Sequence, residues 1–315
     1  MLVSLIVPCY NEESALPFLY EALTKVLDEC SRYEYELIFV NDGSRDKTLA
    51  VLRDMAEKDG RIHYLSFSRN FGKEAAMYAG LSAAKGDWIG LLDADMQDPP
   101  SLLPQMFTLL ESGDFDVVAT RRVSRKGEPP IRSFFARRFY RMINKFTDVE
   151  IVDGARDFRV MKREVVDAIL SLGERQRFSK GIFAWVGFRT KWLEYENIER
   201  VAGETKWSFW KLFLYAIEGV VSFTTAPLRI ATVVGFLTSL GAFIYLLYYF
   251  IHAIINRIWD KVAGYPSLLS FMLFLGGMIL MALGIIGEYL AKTYIEVKNR
   301  PLYVIAEDNK KDDKQ

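Results

Sequence analysis

Two stretches without a single Lys, Arg, Asp or Glu, Ile230–Asn256 and Ala263–Gly287, constrain this 315-residue chain more than any other feature. Each can supply a helix of roughly 20 or more residues, the length that crosses a hydrocarbon core of about 30 Å. Only Arg257-Ile258-Trp259-Asp260-Lys261-Val262 separates them, too little for a domain, so the pair reads as a helical hairpin with spans over about 230–255 and 265–288. Two buried core helices are the competing reading. A hairpin returns both ends to one side. Arg229 precedes it, Lys292, Lys298 and Arg300 follow, and the tail adds Lys310, Lys311 and Lys314; the intervening loop offsets Arg257 and Lys261 with Asp260. That asymmetry favours cytoplasmic ends.

Forty basic residues balance forty acidic ones, so a nucleic-acid partner has no electrostatic support. Cys9 and Cys30 imply no disulfide framework and fit a reducing compartment. His63 and His252 lie far apart and give no basis for a His-based metal or acid–base site. The N-terminus, Met1-Leu2-Val3-Ser4-Leu5, has no basic region and is not read as a signal peptide. The charged tail Glu307–Gln315, without apolar anchors, is expected to be disordered. On the second apolar run, Gly277 and Gly284 are spaced for one helix face, where small residues permit close packing.

Ahead of the hairpin, strand and helix patterns alternate. Strands are expected over Leu2–Cys9, Glu36–Asn41, Ile62–Ser68, Asp87–Leu92 and Asp116–Thr120. Helices are expected over Ala15–Cys30, Thr48–Lys58, Glu74–Ala84 and Leu102–Ser112. Such alternation predicts a doubly wound, mostly parallel α/β sheet, whose ligands bind outside the carboxyl ends of the strands. Those ends carry Pro8-Cys9-Tyr10-Asn11-Glu12, Asn41-Asp42-Gly43-Ser44, Ser68-Arg69-Asn70-Phe71-Gly72-Lys73 and Asp93-Ala94-Asp95-Met96-Gln97. In the last cluster, alternation puts Asp93 and Asp95 on one face. Like charges so close are costly unless a cation lies between them, and a hard ion such as Mg²⁺ or Mn²⁺ suits carboxylate and carboxamide oxygens. A polar turn ahead of the helix begun by Asp98-Pro99-Pro100 is the alternative.

Further on, Arg121 and Arg122 follow a strand, and Ile131–Arg141 mixes arginines with Phe134, Phe135, Phe139 and Tyr140. That segment and Trp207–Tyr215 can form amphipathic helices on an anionic membrane surface. A solvated basic helix packed on the sheet by its aromatics is the alternative for the first.

Taken in order, Pro8–Glu12, Asn41–Ser44, Asp93–Pro99, Asp157-Phe158-Arg159-Val160-Met161 and Ala202-Gly203-Glu204-Thr205-Lys206-Trp207 resemble family 2 glycosyltransferases of the glycosyltransferase-A fold. The similarity is greatest to the polyprenyl-phosphate enzymes, which include dolichol-phosphate mannose synthases and bactoprenol glucosyltransferases. It runs from residue 3 to about 210, and the hairpin suits the bacterial branch. Asn41 stands where many relatives have Asp, which leaves Asp42 as the matched acid.

The resemblance implies a cytoplasmic catalytic domain over 1–205, an interface helix over 206–228, two spans within 229–291 and a cytoplasmic tail over 292–315. It implies an inverting, metal-dependent transfer of a hexose from a UDP-sugar, glucose before N-acetylglucosamine, to undecaprenyl phosphate for cell-envelope glycan modification. The enzyme would sit in a bacterial plasma membrane as a homotetramer. Pro8, Tyr10, Asn11, Glu12, Asp42, Asp93, Ala94 and Asp95 would hold the nucleotide sugar. Asn70 and Lys73, with Gly72, open a helix whose N–H groups suit a phosphate, although a plain helix cap explains them as well. Asp95 and Gln97, with Asp93 nearby, would hold Mg²⁺ or Mn²⁺. Arg121 and Arg132 would take the acceptor phosphate, with Arg200 and Lys206 near the phosphates. Asp157 is the implied catalytic base. An acceptor phosphomonoester has its second pKa near 6 and is already a nucleophile, so Asp157 is expected to orient the acceptor or sugar and take at most a residual proton. An ion pair with Arg156 or Arg159 is the alternative for Asp157.

Two rivals share parts of this pattern. Processive polysaccharide synthases carry a Gln-x-x-Arg-Trp segment and more spans, neither present here. A membrane-anchored nucleotide-sugar-binding protein without transferase activity would have no need of the Asp93–Gln97 cluster and Asp157.

Overall fold

The computed structural model describes residues 1–122, 152, 154–195, 226–256 and 265–310. Contacts divide the chain into two units, Met1–Phe213 with Arg300–Gln315, and Leu214–Asn299.

In the first unit, β1 (Leu2–Cys9), β2 (Glu34–Asn41) and β3 (Ile62–Phe67) are almost wholly buried, as parallel strands covered on both faces require. Between them run α1 (Leu16–Glu29) and α2 (Thr48–Lys58). Leu16, Leu19, Leu23 and Leu27 form the stripe that α1 buries, at the spacing of one helical face. Next comes α3 (Lys73–Ala83), which turns Ala75, Ala76, Ala79 and Gly80 inward. A Cβ at Gly80 would run into the Ile6 side chain, so glycine here sets how closely α3 approaches β1. Then follow β4 (Trp88–Leu91), α4 (Leu103–Glu111), β5 (Val117–Arg122), β6 (Ala155–Lys162), α5 (Arg163–Ser171), α6 (Ser179–Trp185) and β7 (Thr190–Tyr195).

The sheet order is β7-β5-β6-β4-β1-β2-β3, with a last strand, β8 (Ile305–Asp308), on the β3 edge. The chain moves outward from β1 through β2 and β3, then crosses to β4 on the other side of β1. This places a topological switch point at the carboxyl ends of β1 and β4, where ligands of doubly wound sheets bind. Strands β6 and β8 run against their neighbours. The amino end of β6 therefore lies beside the carboxyl ends of β4 and β5, which brings Arg156 and Asp157 to the switch-point rim.

Two expectations need correction here. The tail is not disordered from Glu307: Glu307 and Asp308 lie in β8, and its register places Leu65 opposite Asp308. Tyr64 donates its hydroxyl to Glu307 at 2.6 Å, His63 bonds Asp308 at 2.9 Å, and Tyr303 stacks on Phe67 with centroids 4.9 Å apart. Backbone pairing and an aromatic stack supply the anchor that composition lacked. Secondly, β4 stops at Leu91, so strand alternation does not set the faces of Asp93 and Asp95. Among the described residues, a Cβ on Gly276, Gly277 or Gly284 would meet no atom within 4 Å.

The second unit holds α7 (Ala226–Asn256) and α8 (Tyr265–Lys298), which touch where Thr238 Oγ1 donates to Met278 Sδ at 3.9 Å. Large apolar side chains such as Phe236, Tyr245, Leu280 and Met281 lie on their outside, the pattern of a helix that is apolar all round. Among the described residues, Phe274–Lys298 is long and apolar enough to cross a membrane by length and composition, whereas the apolar stretch in α7, Ile230–Tyr245, is shorter. By that criterion one of the two expected spans qualifies. The expected interface segments 131–141 and 207–215 lie outside the described residues.

Candidate active site

The loops after β1 and β2 are laced together by side chains. Asn11 adopts φ +56°; its N–H donates to Ser44 Oγ at 2.9 Å and its Oδ1 accepts from the Arg45 N–H at 2.8 Å. Asn is among the few residues that tolerate this conformation. It does not cap α1, whose N-cap is Ala15, with no side-chain bond. The Glu12 N–H donates to Thr48 Oγ1 at 2.9 Å. Pro8 lies within β1, and Tyr10 stands at the rim with more than a third of its surface exposed.

Asp42 is buried beneath the β3 loop. Its Oδ1 accepts from the Phe71 N–H at 2.6 Å and its Oδ2 from the Gly72 N–H at 2.9 Å. Burial pushes its carboxyl above the ordinary value, and those two N–H groups oppose the rise. Of the helix-opening amides expected to suit a phosphate, that of Gly72 donates to Asp42, while Asn70 is exposed. Gly43 has φ +61°, and a Cβ there would run into the Arg69–Asn70 backbone. Only glycine allows the two loops to meet this closely.

Lys73, at the start of α3, reaches across the rim. Its Nζ lies 2.5 Å from Asp93 Oδ1 and 2.5 Å from Asp157 Oδ2. Burial works against the Lys73 ammonium, but the two carboxylates outweigh it and hold the lysine protonated well above its usual range. Burial likewise pushes Asp157 up; Lys73, with Lys180 and Arg159 further away, reverses this and holds the acid well below the ordinary carboxylate range. The alternative of an ion pair with Arg156 or Arg159 gives way to one with Lys73, which donates to Asp157 directly.

Beyond Asp93, the buried Ala94 and the left-handed Met96, φ +59°, fold the chain back so that the Gln97 N–H donates to Asp95 Oδ1 at 3.1 Å. Arg156 grips this turn from β6. Its Nε donates to Asp98 Oδ1 at 3.1 Å, one terminal nitrogen donates to Gln97 Oε1 at 3.2 Å, and Asp93 Oδ2 is 3.9 Å away. Asp98 is buried and also accepts from the Tyr195 hydroxyl. Arg159 lies over the Phe183 ring at 3.6 Å and donates to the Arg156 and Asp157 carbonyls at 2.9 and 3.3 Å. Its burial brings the guanidinium down to about 10, against the pull of Asp157.

Asp42, Lys73, Asp93, Asp95 and Gln97 lie at the strand-end rim that the alternation predicts, and Asp157 joins them from the antiparallel strand β6. Arg121 instead pairs with Glu194 of β7, its Nε donating at 3.0 Å. Arg132, Arg200 and Lys206 lie outside the described residues. Arg156 and Tyr195 belong to none of the motifs, and adjacency to Asp157 is the one signal for Arg156; Asp98 falls within the Asp93–Pro99 motif, without a role assigned to it. Among the described residues, no group of three or more His, Cys, Asp or Glu forms a metal cage. Asp93, Asp95 and Gln97 still offer hard oxygens, and this fits Mg²⁺ or Mn²⁺, which complete their shell with phosphate oxygens and water.

A family model described as glycosyl transferase family 2 matches residues 4–170, and one described as GtrB C-terminal hairpin matches 226–293. A prophage bactoprenol glucosyl transferase homolog of Escherichia coli (strain K12) is 43% identical over 305 residues, 97% of this chain and 98% of its own. The SfII prophage-derived bactoprenol glucosyl transferase of Shigella flexneri is 42% identical over 310 residues, 98% of this chain and 99% of its own. Among solved structures, glucosyl-3-phosphoglycerate synthase from Mycobacterium tuberculosis with Mn²⁺, UDP-glucose and phosphoglyceric acid is 18% identical, with a TM-score of 0.47 over 70% of this chain and 77% of that chain.

Proposed function

The chain belongs to glycosyl transferase family 2 and is a glycosyltransferase, and from that premise we propose that it transfers glucose from UDP-glucose to undecaprenyl phosphate. The observation that carries this reading is the coexistence of an acid-and-amide turn at a sheet switch point with an apolar helical hairpin in one chain. The names of its relatives support a polyprenyl-phosphate acceptor and a glucosyl donor. The exposed apolar faces of α7 and α8 support a bilayer around them. In this reading both helices span a bacterial plasma membrane, both chain ends are cytoplasmic and the enzyme is a homotetramer.

Tyr10 and Glu12 flank the nucleotide, while Asp42 acts mainly by holding the Phe71–Gly72 backbone. Asp95 and Gln97 would hold Mg²⁺ or Mn²⁺, which when bound supplies charge stabilisation for the departing nucleoside diphosphate. Asp157, kept ionised by Lys73, orients the acceptor or the sugar. It has no proton to give near neutral pH. A dianionic lipid phosphate needs none removed, so a single displacement at the anomeric carbon gives an inverted, lipid-linked monosaccharide. Lys73 offsets the negative charge that a lipid phosphate brings to Asp93 and Asp157.

Nucleotide release from a panel of UDP- and GDP-sugars, with and without undecaprenyl phosphate, tests the assignment. UDP released from UDP-glucose only when lipid phosphate and metal are both present is the expected result. Equal release without lipid would make water the acceptor and remove the transfer.

A further inference from the structure

Arg156 touches three residues of the Asp93–Asp98 turn through one guanidinium, yet no sequence motif assigns it a task. We propose that Arg156 is a positioning residue, fixing that turn in the shape that takes a divalent cation. This rests on the metal reading of the site given above.

A carboxamide oxygen such as that of Gln97 has two acceptor directions. Donation from Arg156 at 3.2 Å uses one, leaves the other, and forbids the flipped rotamer, which would set an NH₂ group against the guanidinium. The same fork is anchored on Asp98, a buried acid whose Oδ1 accepts from both Arg156 and the Tyr195 hydroxyl. Behind it, the Arg156 carbonyl is held by Arg159. Arg156 is therefore built into the wall, and its planar fork is what lets one side chain reach both oxygens.

Charge and geometry make opposite predictions here. As a charge alone, a guanidinium beside a cation site repels the cation, so its removal should tighten metal binding. As a clamp it keeps Gln97 and Asp93 aimed, so its loss should weaken binding. Residues that orient metal ligands typically contribute about 10–100-fold to metal affinity or activity.

The test measures Mn²⁺ binding to the full-length protein by electron paramagnetic resonance without substrate. Wild type, Asp95→Ala, Arg156→Met and Arg156→Lys are compared. The lysine variant keeps the charge and loses the fork, so it remains informative if the methionine variant, which strips Asp98 of its cation, does not fold. The expected result is a 10–100-fold weaker Mn²⁺ affinity in Arg156→Lys. Its half-maximal Mn²⁺ concentration for transfer should rise in parallel, with turnover at saturating Mn²⁺ near wild type. Binding within twofold of wild type in Arg156→Lys, or tighter binding in Arg156→Met, overturns the proposal while Asp95-dependent binding survives. Absence of Mn²⁺ binding in wild type overturns the metal reading and this proposal together.

Discussion

Replacing Lys73 by Met removes the ammonium that Asp93 and Asp157 share. Their bonded oxygens are each 2.5 Å from Nζ, so they lie no more than 5.0 Å apart, twice that distance. Two unit charges at about that separation repel by about 3 kcal/mol at an effective dielectric of about 20. Both aspartates are less than a fifth exposed, but the Lys73 side chain is 44% exposed. Water replacing the ammonium therefore screens part of the repulsion, leaving about 1–2 kcal/mol. With the ammonium gone, the attraction that holds Asp157 down is lost, and burial together with the Asp93 charge then pushes its carboxyl above the ordinary carboxylate range. Asp157 in wild type is held below its ordinary value and stays ionised through the accessible range, so its contribution to stability is lost only in strong acid. In Lys73→Met the repulsion is present at neutral pH and is relieved as pH falls and one acid takes a proton. Thermal unfolding in detergent with EDTA should show a midpoint about 2–8 °C below wild type at pH 8. The gap should narrow, without closing, towards pH 5. A gap of constant size across that range would refute the shared-cation argument.

Two further changes probe the loops around the site. Gly43→Ala forces a side chain into the left-handed region and against the Arg69–Asn70 backbone; a strain of about 1–2 kcal/mol should raise the KM for the nucleotide sugar about tenfold, as measured by initial rates. Tyr303→Ala removes the stack on Phe67, which also packs against Phe71 at 5.8 Å. A loss of about 1–2 kcal/mol should lower the unfolding midpoint and increase protease cleavage in the Ser68–Gly72 loop, and unchanged cleavage would detach the C-terminal strand from that loop.

Strands β1 to β4 and their helices were legible because each apolar run ends in a polar cluster and is followed by a helical period. The four loops at one rim followed from that alternation. Strands β6 and β7 were not, since an antiparallel neighbour and a sheet edge need no repeated strand–helix crossover. The sequence Ile305-Ala306-Glu307-Asp308 shows no strand periodicity; backbone pairing to β3 and partners such as Arg53 and Tyr64 make it one. Lys73 reads as a helix-start residue because one of its two partners is 84 residues away. The Asp93–Gln97 turn was legible in composition but not in shape, which Met96 sets by turning back at φ +59°.

The most direct test of the central claim is the mass of the lipid product formed in nanodiscs from UDP-glucose, undecaprenyl phosphate and Mn²⁺. Wild type should yield undecaprenyl phosphate carrying one hexose, and Asp95→Ala should yield none. UDP accumulating alongside free glucose, with no lipid-linked hexose from the wild-type protein, would contradict the account.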